Sequence, residues 1–214
     1  MTTATSAIAL KKLGLMDYNE AWQLQRTFHD EVATGQRPST LILLEHPPVF
    51  TAGRRTQEHE RPTDGSTVID VDRGGKITFH GPGQLVGYPI VQLRNGNDVV
   101  GFVREIETAL IKVCAEFGIA AERFCERSGV WIRDSRGDRK IAAIGLRVAR
   151  GVTMHGFALN ISPDLSYFDR IVPCGIPDAG VTSFARELGR EISIADVSPI
   201  LERHIFESLA KVAQ

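Results

Sequence analysis

Cys174, Lys140 and a glycine-rich run at 73–84 are the residues of this chain whose types and spacing suit chemistry. Cys174 sits in Val172-Pro173-Cys174-Gly175-Ile176-Pro177, where proline and glycine set a turn and present the sulfur outside regular structure. A free thiol has a pKa near roughly 8.5, so it needs a cation or a helix N-terminus to be largely thiolate at neutral pH. Lys140 can supply that cation. It opens the apolar run Ile141-Ala142-Ala143-Ile144-Gly145-Leu146, in which an ammonium is partly desolvated and able to carry protons. The competing readings are a solvated lysine at the end of the basic stretch 133–139 and a buried structural thiol.

The run Arg73-Gly74-Gly75-Lys76-Ile77-Thr78-Phe79-His80-Gly81-Pro82-Gly83-Gln84 brackets a short strand with glycines that let a ligand approach bare backbone. His80 ends that strand and is a candidate general base. His155 rivals it: with Cys174 and Asn160 it completes a Cys-His-Asn set of the kind thiol hydrolases use. The spacing Gly81-x-Gly83-x-x-x-Gly87 is wrong for a dinucleotide fingerprint, and no phosphate-loop motif occurs.

Composition narrows the classes further. A formal net charge of −1 over 214 residues gives no general attraction to nucleic acid or anionic lipid. No apolar run approaches the roughly 20 residues of a membrane helix. Lys11 and Lys12 follow the apolar start instead of preceding it, the wrong order for a secretory signal. Cys114, Cys125 and Cys174 form no Cys-x-x-Cys pair and have no histidine couple beside them, so no metal is expected, and a reducing cytoplasm fits.

The elements that must position these groups read as α+β with a mixed sheet, in one domain over 1–214. Strands are predicted at 7–15, 41–44, 68–71, 77–79, 85–93, 129–132, 140–148 and 152–159. Residues 54–67 read as an exposed loop. A helix at 18–32 places Ala21, Leu24, Phe28 and Val32 on one face. Asn97 is expected to cap a second, whose stripe is Val99, Val103, Ile106, Leu110, Val113 and Phe117, with Cys114 beside it as a core residue. Ala149-Arg150-Gly151 predicts a tight hairpin with a left-handed glycine. Ser198 and Pro199 predict the start of a closing helix lined by Leu201, Ile205, Leu209 and Val212.

Taken together, Leu43-Leu44-Glu45-His46-Pro47-Pro48-Val49-Phe50-Thr51, the 73–84 run, Lys140 to Gly145, His155-Gly156-Phe157-Ala158-Leu159-Asn160 and Pro173-Cys174-Gly175 resemble the lipoyl(octanoyl) transferases. The resemblance spans roughly 40–185. It implies the catalytic fold of the biotin and lipoate protein ligases and a cytoplasmic enzyme of lipoate assembly. Its octanoyl donor would be octanoyl-acyl carrier protein. Its acceptors would be lysines on the lipoyl domains of 2-oxoacid dehydrogenases and on glycine cleavage H protein. No nucleic acid, membrane, metal or cofactor is implied, and thioester-to-amide transfer needs no ATP. By position, Cys174 matches the acyl-accepting cysteine and Lys140 the lysine that lowers its pKa. Arg73, Gly74, Gly75, Lys76, Ile77, Thr78, Phe79 and His80 match substrate-binding positions, as do Ala143, Ile144, Gly145, Gly156, Phe157 and Ala158. Phe50 and Phe79 stand where many relatives carry tyrosine. Arg54-Arg55 or the arginines at 133, 136 and 139 are two candidate docking patches for an acidic carrier. An ATP-dependent lipoate ligase, a thiol hydrolase and a non-catalytic acyl-binding module are the alternatives.

Overall fold

The computed structural model describes residues 8–96, 98–124, 127–172 and 179–214. Asn97, Cys125 and Cys174 lie outside the described residues. Strand β2 (Thr40–Glu45) shows how the architecture arises, because its consecutive apolar side chains are buried on both faces. Leu41 and Leu43 join a large cluster with Phe102, Ile106, Leu110, Leu201, Ile205 and Leu209 from helices α2 (Val99–Glu116) and α4 (Ile194–Val212). Ile42 and Leu44 turn the other way, onto Ala21, Phe28 and Val32 of α1 (Tyr18–Ala33). Helices therefore cover both sides of one sheet.

Among the described residues that sheet has seven strands, with β1 (Ala9–Leu15), β2, β6 (Gln84–Ile90), β9 (Val152–Asn160), β8 (Gly137–Ala149) and β10 (Gly180–Val181) in spatial order and β7 (Val130–Asp134) also on β8. It is mixed: β1 runs parallel to β2 and β10 parallel to β8, while the other pairs are antiparallel. A second sheet of β4 (Val68–Asp70), β3 (Val49–Ala52) and β5 (Thr78–His80) carries Phe50 and Phe79. Those rings pack with Ile77, Phe168 and Ile171 in a separate apolar cluster. Neither β3 nor the short helix α3 (Phe184–Leu188) stands out in the sequence.

Local chemistry explains where the ends fall. Asp98 caps α2 by accepting the Gly101 N–H at 2.8 Å. The buried face of that helix is led by Phe102, not Val99 or Val103, and Val100 is 70% exposed. Helix α4 starts before the expected Ser198, because Ser193 and Asp196 form a reciprocal capping box. Pro199 is consequently inside the helix, at the loss of one backbone hydrogen bond. Arg133 and Arg139 lie on paired strands, so the stretch 133–139 is a hairpin instead of a loop. Residues 54–67 are a mostly exposed connection, although Glu60 is buried at its centre.

The β8–β9 hairpin closes on Arg150 and Gly151, both with positive φ, 52° and 73°. This two-residue turn matches the strand twist. Helix α1 holds its tip: the His29 ring bonds the Ala149 carbonyl at 3.0 Å and Asp30 pairs with Arg150.

Candidate active site

Lys140 lies on β8, opposite Trp131 of β7 and beside Val181 of β10. Only 7% of the residue is exposed. Burying an ammonium costs solvation, and the indole of Trp131, 4.6 Å from the nitrogen, offsets part of that cost with its negative face. The Lys140 carbonyl accepts the Thr182 N–H at 3.0 Å, and the Thr182 carbonyl in turn accepts from Asn160 at 2.9 Å. Chain on either side of 173–178 is thereby fixed: Val172 donates to the Glu60 carbonyl at 3.2 Å, and Gly180 and Val181 pair with Arg139 and Lys140.

Strand β5 and the residue before it, Ile77, alternate by the two-residue period of a pleat. Thr78 and His80 line a cavity, whereas Ile77 and Phe79 enter the aromatic cluster of the small sheet. Arg73 organises the preceding loop from within. Its guanidinium donates to the carbonyls of Gly74, Lys76 and Thr51 and to the Thr51 hydroxyl, at 2.8–3.1 Å. Gly74 donates to the Leu146 carbonyl at 2.9 Å, tying that loop to β8. Gly156 faces β6 so closely that a Cβ there would lie 2.1 Å from the Gly87 carbonyl oxygen.

The cavity measures about 230 Å³, below the roughly 300–1,000 Å³ of sites for drug-sized ligands and suited to a slender one. Its lining brings together Arg73, Gly75, Lys76, Thr78, His80, Lys140, Ala143, Ile144, Gly145, Gly156, Phe157 and Ala158. Gly74, Ile77 and Phe79 are not in that lining. The remaining wall is Tyr18, Arg55, Tyr88, Arg127, Ser128 and His155. Of these, Arg55 is expected from sequence in a docking patch and His155 as a candidate base, whereas Tyr18, which opens a helix, and Tyr88, inside a buried strand, carry no such signal.

Hydrogen bonds fix the histidine tautomers. His80 Nδ1–H donates to Gln84 Oε1 at 2.7 Å, and Gln84 donates to Asn160 Oδ1 at 2.9 Å. Burial, then the neighbouring His46, pushes the His80 imidazole down to about 3. His46 Nδ1–H donates to the Met16 carbonyl at 2.8 Å, and its Nε2 accepts from Tyr88 at 2.7 Å. Burial takes His46 down to about 4. His155 is likewise lowered by burial, against the pull of Asp72, whose carboxylate accepts its Nε2–H at 2.7 Å. That hydrogen bond, with Arg147 nearby, holds Asp72 down at about 2. The His46 and His80 rings are neutral at pH 7. Asn160 is engaged by Gln84 and Thr182 and the orienting partner of His155 is Asp72, so the His-Asn arm of a hydrolase set is not assembled. Cys114 is fully buried in the core, its thiol raised to about 12 by burial.

The profile of the Lipoyl protein ligase A/B catalytic domain matches residues 17–206. An octanoyltransferase of Salinispora arenicola is 59% identical over 207 residues, covering 96% of this chain and 97% of its own. One from Mycolicibacterium smegmatis is 55% identical over 209 residues, covering 97% and 91%. In fold, the chain resembles a bi-partite lipoate protein ligase of Thermoplasma acidophilum, with a TM-score of 0.72 at 17% identity over 94% of this chain and 83% of that one. A biotin protein ligase of Aquifex aeolicus resembles it at a TM-score of 0.56 and 13% identity, over 95% and 71%. On a matched profile and on this identity over nearly its whole length, the chain belongs to the octanoyltransferase family, built on the lipoyl protein ligase A/B catalytic domain.

Proposed function

We propose that residues 1–214 act as one domain that moves an octanoyl group from acyl carrier protein to a lysine of a lipoyl carrier domain, as the first step of lipoate assembly. The observation that carries this reading is the Lys140 ammonium, buried in the wall of a slender cavity with no acidic side chain among its described lining residues. Cys174 attacks the carrier thioester as a thiolate stabilised by Lys140, and the carrier thiolate leaves and takes up a proton. The acceptor lysine, as a free amine, then attacks the new thioester. It loses a proton as the amide forms and Cys174 departs as thiolate. Lys140 relays both protons. Backbone N–H groups of the glycine segments stabilise the oxyanion, each typically contributing about 2.7–4 kcal/mol. The neutral walls at 143–145 and 156–158 take the acyl chain.

Intact-mass measurement after mixing with octanoyl-carrier, without nucleotide, tests the reading. A gain of one octanoyl group, absent in Cys174→Ser and discharged by a lipoyl domain, supports it. A gain that persists in Cys174→Ser rejects the nucleophile. A requirement for ATP points to ligation, and free octanoate without acceptor points to hydrolysis.

A further inference from the structure

Strand register fixes which way an acyl chain can run in the cavity. The Lys140 side chain passes Gly129, where an added Cβ would stand 3.4 Å from its Cε and 2.5 Å from the Ala142 carbonyl oxygen, so its ammonium end lies level with Ala142. From there β8 and β9 pair Ala143 with Ala158 and Gly145 with Gly156, and on β6 Tyr88 follows Gly87, the partner of Phe157. In the opposite direction the space between Lys140, Thr78, Asn160 and Phe168 is about 10 Å³, room for no more than one water. A chain whose thioester is held at Lys140 therefore extends toward Gly156 and Tyr88.

Tyr18, Tyr88 and His155 line that far end, and each is held in place. Asp17 caps α1 by accepting the Asn19 N–H at 2.8 Å, which sets Tyr18 as the first residue of the helix. The Tyr18 ring stacks on His80 at 5.8 Å and meets His46 at 5.0 Å. Tyr88 is tied to the same His46. His155 has a φ of 59°, a conformation rare outside glycine. Directly paired side chains share one face of a sheet, yet Leu146, the partner of His155, enters the large core while His155 lines the cavity. The left-handed backbone thus turns this ring inward, with its N–H bonded to Gln25 of α1 at 2.9 Å. Strain of this kind collects where a side chain must be aimed.

We propose that Tyr18, backed by Tyr88 and His155, is the stop that sets the length of the acyl chain at eight carbons. The proposal rests on the transfer reading above, which puts the thioester at Lys140. From Ala142 to Gly145 is about 10 Å along the strand and Tyr88 lies two strands across, so the diagonal is roughly 14 Å. An extended octanoyl group measures about 9 Å from carbonyl carbon to methyl at standard bond lengths. A contact distance of about 4 Å between the methyl and a tyrosine ring completes the span. A dodecanoyl group is longer by about 5 Å and runs into the end wall.

Pantetheine thioesters of six-, eight-, ten- and twelve-carbon acids test it, with acylation of the protein followed by intact mass. In the unaltered protein kcat/KM should fall about tenfold or more from eight to ten carbons, as a pocket discriminates even one methylene by that much. Tyr18→Ala should erase the fall and move the optimum to ten or twelve carbons, whereas Tyr18→Phe, which keeps the ring, should retain the eight-carbon preference. Should Tyr18→Ala fail to fold, Tyr18→Leu carries the same test with an optimum at ten carbons. An eight-carbon optimum kept in every folded variant, or equal rates for eight and twelve carbons in the unaltered protein, overturns the stop while the transfer reading stands. Absence of an acyl adduct from any donor overturns the transfer reading. Calorimetry with octanoate and dodecanoate then decides the stop by itself: dodecanoate binding gained in Tyr18→Ala supports it, and an unchanged preference refutes it.

Discussion

A lysine that both ionises a thiol and relays protons should respond differently to loss of charge and to loss of a titratable proton. Lys140→Met should slow turnover by about 10²–10⁴-fold, the usual worth of a positioned acid–base group. It should also slow alkylation of Cys174 at pH 7. Lys140→Arg should recover much of the alkylation but little of the turnover, because a guanidinium stays protonated. Parallel recovery of both would remove the proton-relay role. The histidines make a second prediction at this scale. His46 and His80 fall from 6.5 to about 4 and about 3 on folding, so below pH 6.5 the unfolded chain binds their protons first. Their burial is thus harmless above pH 6.5, and stability falls as the pH drops from 6.5 toward the folded values, where the loss levels off. By pH 5 the loss is about 2 kcal/mol per histidine, which a melting curve at pH 7 and pH 5 should register. A flat profile would mean that the rings are not held neutral. Lys140 was legible because a cation opening an apolar strand is unusual, as was the glycine run at 73–84. Tyr18 and Tyr88 were not, and Arg55 was read only as part of a candidate docking patch, since only the tertiary fold brings α1, β6 and the exposed connection to one wall.

Among the elements, α4 separates a cap that reads well in sequence from the one that forms. Ser193→Ala removes half of a reciprocal box and should cost about 1 kcal/mol. Ser198→Ala, which only loses a bond to Glu202 on the half-buried face, should cost less in the same denaturation experiment. The reverse ranking would restore Ser198 as the functional start. Strand β9 is less forgiving. In Gly156→Ala the new methyl meets the Gly87 backbone of β6 at 2.1 Å, so neighbouring strands must separate. A loss of more than about 3 kcal/mol, or no soluble protein, is expected. Helix periodicity and the hairpin at 149–151 could be read directly, because each depends on nearby residues. Strand β3 could not: four residues after two prolines acquire strand character only through β4 and β5.

Across the whole molecule, the mixed α+β class was visible in the sequence, but the order of the strands was not, since β6 and β9 meet across more than 60 intervening residues. Long-range electrostatics is similarly hidden. Glu187 of α3 holds Arg139 and Arg136 of the β7–β8 hairpin and also accepts from Thr182. Burial would raise its carboxyl, but those donors, Arg139 foremost, keep it below its ordinary value. Among the described residues, Glu187→Gln leaves the buried Arg139 guanidinium with Asp134 as its one counter-ion, and should cost about 3 kcal/mol. Thermal unfolding that moved by less than a degree or two would show that the network is dispensable. The chain has only two tryptophans, and one of them, Trp131, lies under the Lys140 ammonium. Indole emission is sensitive to a charge held against its ring, so the protein carries its own optical gauge. Stopped-flow fluorescence should register each loading and unloading event without any label, and Trp131→Phe should silence the signal.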